Sequence, residues 1–216
     1  MVVGIAIGLG LLLVVGEMIL RLAFGFGNPP IYIADDRIGY LLAPNQRTRR
    51  FGNRIEVNQY SMRSAAISPS PAASTLRVLL LGDSIANGGW WTDQPDTMAM
   101  VLARSLRDRL NLPQGKWMEV EVLNASANSW GPRNELAYLQ RFGSFQSQAV
   151  VLLLNTDDLF AIAPNSVQVG RDRNYPDRRP LLAWIELFQR YVLPAPALPE
   201  LETLQQEGGD RVGYNL

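Results

Sequence analysis

The residues best suited to chemistry fall in three short polar clusters: Asp83 and Ser84 within "RVLLLGDSIANGG" (77–89), "NASANSWG" (124–131) and "NTDD" (155–158). Ser84 follows an apolar run from Val78 to Leu81 that reads as a buried strand, and Gly82 breaks the run before a helix or open turn begins. A serine at such a corner gains backbone N–H groups able to stabilise an oxyanion, as an acyl-transfer nucleophile requires. Other chemistries fit less well. "GDSIANGG" lacks the Lys-Ser/Thr of a phosphate-binding loop, the glycine spacing of a dinucleotide site and the G-x-S-x-G nucleophile elbow. Asp83, Asp157 and Asp158 suit a hard cation such as magnesium, which would make a phosphate enzyme, but their spacing matches no metal motif. No metal and no cofactor is expected.

Each cluster also has an ordinary structural reading: a Gly-Asp-Ser turn, a helix start at Pro132, a cap at Asp157 or Asp158. What favours a site is their common placement. Apolar runs predict strands over 76–81, 118–124 and 149–154, with helices over 97–110, 133–142 and 181–193 between and after them. Alternation of this kind makes an α/β fold with right-handed crossovers. Strands so uniformly apolar should be covered on both sides, giving a three-layer sandwich around a parallel, flavodoxin-like sheet. Three strands make a thin sheet, so the domain is expected to be incomplete at its C-terminus. In an open parallel sheet ligands bind beyond the carboxyl ends of the strands, where all three clusters fall. Trp90, Trp91 and Trp130 lie in loops at the same edge, either to stack on a sugar or acyl group or to close the core. The long irregular stretch 155–180 reads as functional or disordered.

Composition narrows the classes further. The 216 residues carry 20 basic and 20 acidic side chains, which argues against a nucleic-acid partner. There is no cysteine and no histidine, so disulfides, thiolate metal sites and the commonest general base are all excluded. From Val2 to Gly16 nothing is charged or strongly polar, and with "MIL" after Glu17 the run approaches the roughly 20 residues that span a bilayer. Residues 1–24 therefore read as a transmembrane helix, with Glu17 and Arg21 paired at its end. A cleaved signal peptide is the rival, weakened by the missing basic start. Residues 25–63 read as an extended cap with two β-like runs, 64–75 as a small-residue and proline linker, and 76–216 as the core. Basic residues follow the span, so the positive-inside rule alone would leave the core cytoplasmic.

"LLLGDSIANGG" resembles the first block of the SGNH (GDSL-type) hydrolases, "VLNASANSWGP" is similar to their second, and "VLLLNTDDLF" falls where the third should lie. The upstream "GEMILRL", "IGYLLAPNQ" and "NQYSMR" resemble membrane-anchored members. The resemblance implies that Ser84 is the nucleophile and that the core is extracytoplasmic. It aligns the second-block glycine, an oxyanion-facing N–H donor, with Ser129, and the third-block asparagine with Asp157. An ionised Asp157 cannot donate, and at about 4 Å it would repel an oxyanion by roughly 1 to 4 kcal/mol. Either Asn155, two residues earlier, substitutes, or Asp157 is protonated, or the oxyanion hole is incomplete. Asp83, Trp90, Asn124, Trp130 and Asp158 are the candidates on the substrate side, with Asn124 better suited to holding its loop. The family's fourth block, Asp-x-x-His, is absent. The expected function is a membrane-anchored serine ester hydrolase or O-acyl transferase acting on a small-molecule or glycan ester, inactive without its base. The alternative is a non-catalytic, membrane-tethered module that binds a glycan or a partner.

Overall fold

The computed structural model describes residues 1–110 and 116–213, apart from the side chains of Asp157, Leu159 and 207–213. The N-terminal apolar run forms helix α1 (Val2–Ile19), continued by a π-helical turn, Leu20–Phe24. Apolar on every side, it contributes nothing to the core, and its 23 residues are long and apolar enough to cross a membrane. Gly25, at φ +75°, ends it: a Cβ there would run into the Arg49 carbonyl, so the left-handed stop requires glycine.

Two antiparallel hairpins follow, β1 (Tyr32–Asp35) with β2 (Gly39–Leu42) and β3 (Gln46–Arg50) with β4 (Asn53–Val57). The chain then passes through 64–74 without helix or strand and enters a three-stranded parallel sheet. The central strand β5 (Thr75–Gly82) lies between β6 (Glu119–Ser126) and β7 (Ala149–Leu152). Helices α2 (Ser84–Asn87), α3 (Met98–Arg109) and α4 (Pro132–Phe142) make the connections. After β7 come a 3₁₀ turn (Thr156–Phe160), α5 (Ala183–Tyr191) and α6 (Pro199–Gly213). The fold is thus mixed α/β on a parallel sheet.

Strand alternation divides the core in two. Val78 and Leu80 of β5 pack with Val120 and Val122 against Ala99 and Ala103 of α3. Leu79 and Leu81 face the other way, with Leu123 and Ala125, onto Tyr138 of α4 and the hairpin residues Tyr40, Leu42, Ile55 and Val57. The hairpins are therefore built into the same core as the sheet. β7 departs from the expectation of cover on both sides: all four of its residues are exposed. It occupies the sheet edge, where the helices that cover β5 and β6 do not reach it.

Candidate functional site

Ser84 is the first residue of α2, at the carboxyl end of the central strand. Asp83 supplies the cap: its Oδ1 accepts the Ile85 N–H at 2.8 Å, satisfying a donor at the start of the short helix. Its other oxygen, Oδ2, accepts from Asn155 Nδ2 at 2.7 Å, which ties the loop after β7 to the corner after β5. Asp158 holds that loop in turn, Oδ2 accepting the Asn155 N–H at 2.7 Å.

Ser84 lines two cavities. One, of about 520 Å³, is polar and includes Asp83, Ser129, Trp130, Asn155 and Asp158. The other, of about 380 Å³, includes Ser129, Trp90, Trp91, Leu42 and Ile55. Ser84, Ser129, Asn174 and Tyr175 belong to both and mark the line where they meet. Ser129 sits at φ +57°, in the left-handed region that favours glycine, and its Oγ accepts the Tyr175 hydroxyl at 2.8 Å. The position the resemblance aligns with a glycine thus has the backbone of one.

The candidate residues divide by what they touch. Ser84, Ser129, Asp83, Asn155 and Asp158 come together from three strand ends. Trp90 lines the less polar cavity, its ring 5.3 Å from Phe51 and 5.7 Å from Trp91. Trp130 is almost wholly buried and donates from Nε1 to the Tyr40 carbonyl at 3.0 Å, so it reaches the polar cavity from within the core. Asn124 has no exposure at all. Its Nδ2 donates to the Ala86 carbonyl at 2.8 Å and its Oδ1 accepts from Ser126 Oγ at 2.5 Å. It braces α2 from below and does not reach either cavity. The Asp157 side chain lies outside the described residues.

Two further residues support the corner, and sequence reasoning gave neither a role. Arg63, fully buried, donates to the carbonyls of Asn87 (2.8 Å), Gly89 and Thr92, collecting the turn that leaves α2. Burial lowers its guanidinium to about 10, so it is charged at neutral pH. The stretch "NQYSMR" contained the signal, but not its target. Glu135 of α4 is buried with neither carboxylate oxygen hydrogen-bonded among the described residues. Burial, with smaller repulsion from Asp158 and Asp83, pushes it up to about 7. Its place on the inner face of an ordinary amphipathic helix gave no hint of this.

Among the described residues no group of three or more metal-ligating side chains could hold a metal ion. Geometry and composition together define a class: an α/β protein with a serine-bearing crevice at the carboxyl edge of a parallel sheet, joined to an apolar N-terminal helix. Comparison with family models, curated proteins and solved structures finds no match to the chain.

Proposed function

We propose that the chain is a membrane-anchored serine ester hydrolase or O-acyl transferase of the SGNH type, with a three-layer, flavodoxin-like core held outside the cytoplasm. The observation that carries this reading is Ser84 at the junction of two cavities, flanked by Ser129 in a glycine-like conformation and by an Asn155 held through Asp83. The polar cavity suits an alcohol or sugar portion, and the cavity with Trp90 and Trp91 suits the acyl portion. Ser84 Oγ attacks the ester carbonyl carbon while its proton passes to a base. The tetrahedral oxyanion collapses, the leaving alkoxide takes up a proton, and the acyl group remains on Ser84 for transfer to water or another hydroxyl.

No histidine is present to take that proton, and Glu135 lines neither cavity. Added imidazole should therefore supply what the 216 residues do not. A fluorophosphonate probe is expected to label Ser84 at least about tenfold faster with imidazole than without, and not at all in Ser84→Ala. The missing histidine also favours a second reading, an ester- or glycan-binding module without turnover. Absence of labelling at every imidazole concentration, with an ester analogue still bound, would establish that second reading.

A further inference from the structure

Helix α5 is turned inside out. Its protein-facing side carries charge: Glu186, 5% exposed, forms a 2.8 Å ion pair with buried Arg50 of β3 and accepts the Gly27 N–H at 2.6 Å. Arg190, one turn on, stands 3.6 Å from the same carboxylate. The outward side is apolar but for Gln189 at its rim. Leu182, Ile185, Phe188 and Val192 follow the three-to-four spacing of one helical stripe, with Phe188 52% and Val192 63% exposed. Leu181, just before the helix, is 83% exposed. A helix facing water has the opposite arrangement, and the buried ion pair prevents α5 from rolling over.

The same helix is fastened to the apolar N-terminal span. The Glu17 carboxylate accepts the N–H groups of Ala183 at 2.8 Å and Trp184 at 3.2 Å. Arg21 donates to the Leu181 carbonyl at 2.7 Å, and Trp184 Nε1 donates to the Leu13 carbonyl at 3.1 Å. Leu13 lies well inside the span Val2–Phe24, about 16 Å from its end at 1.5 Å per residue. The start of α5 is therefore level with apolar helix rather than beyond it. Glu17, the one acid in the span, is accounted for by these amide donors and Arg21. Exposed Arg178 and Arg179 precede the apolar stripe, and even with Asp177 3.9 Å from Arg178 they leave a positive charge suited to anionic headgroups.

We propose that α5 is an interfacial helix: Leu181, Leu182, Ile185, Phe188 and Val192 enter the acyl layer of an anionic bilayer beside the N-terminal span. This rests on the membrane-anchored reading of that span. It would hold the Ser84 crevice at a set distance from the lipid surface, since α5 is joined to β3 through Arg50 and Glu186.

The chain has no cysteine, so single cysteines can carry a thiol-reactive fluorophore. The full chain would be reconstituted into phosphatidylcholine and phosphatidylglycerol vesicles containing acyl-chain nitroxide lipid, labelled through Leu9→Cys, Phe188→Cys or exposed Ala66→Cys. Emission from positions 9 and 188 is expected to shift to the blue and to be quenched at least about threefold more than from position 66. Quenching at 9 with none at 188 overturns the interfacial helix and leaves the anchor standing. A blue shift at 188 without lipid quenching means that protein, such as a second copy of the chain, covers the stripe, and also overturns it. No quenching at 9 overturns the anchor itself and the inference with it.

Discussion

Asn155 Nδ2 donates to Asp83 Oδ2 across 2.7 Å, joining the loops that leave the edge and central strands at the residue before Ser84. Asp83 thus does two tasks with two oxygens, capping α2 with one and holding the third polar cluster with the other. Replacing Asn155 by Ala leaves Oδ2 of an 8% exposed carboxylate without this donor and is expected to lower stability by about 1 to 2 kcal/mol. Asn155→Asp would set a second carboxylate against it and cost more at neutral pH, with the extra cost shrinking in acid as the introduced carboxyl takes up a proton. Urea unfolding of both variants at pH 7 and pH 4 measures the difference.

Ser129 gives a second test. At φ +57° a glycine is relieved of strain, but it loses the bond from the Tyr175 hydroxyl. The two effects are each about 1 kcal/mol and opposed, so Ser129→Gly should unfold within about 1 kcal/mol of the parent. Ser129→Val, β-branched at the same backbone conformation and unable to accept the Tyr175 bond, should lose about 2 kcal/mol or more. Equal stability of Val and Gly variants would show that the turn does not demand the left-handed conformation.

Glu135 predicts a pH dependence. Its carboxyl is raised from an ordinary value of 4.5 to about 7, so the folded state binds its proton more tightly than the unfolded chain does. The stability associated with protonated Glu135 is fully present below about pH 4.5 and is lost as the pH rises to about 7. Glu135→Gln removes the titration. Relative to the parent it should gain on the order of 2 to 3 kcal/mol between pH 5 and pH 8, measured as the change in unfolding free energy difference across that range. A difference that stays flat with pH would mean that the carboxylate is solvated.

Much of the parallel core was readable along the chain because it is written in local periodicity. The apolar run at 76–81 falls within β5, the run at 118–124 overlaps β6 from Glu119 on, and the helical pattern at 97–110 closely matches α3. Three polar clusters placed after three such strands must meet at one sheet edge, so the company of Asp83, Ser84, Ser129, Asn155 and Asp158 followed from topology alone. Apolar character also misled. "AVVLLL" asks for cover but does not say which element supplies it, and at the edge Val150, Val151 and Leu152 of β7 are left 38 to 47% exposed.

The sequence by itself determined the order of the three parallel strands and of helices α3, α4 and α5, the apolar span and the serine at a strand-to-helix corner, because each depends on residues close together in the chain. The four hairpin strands, read as two β-like runs, and α6 were not legible. Only the tertiary structure decided that Arg63 gathers the carbonyls of Asn87, Gly89 and Thr92, that Asn124 is sealed beneath α2, and that α5 presents its apolar side outward. The contacts that decide these placements reach across 24 to 171 residues of chain. Hydrogen bonding and burial at that separation are set by how whole elements pack, and no local pattern records which buried carbonyl or carboxylate a side chain will meet.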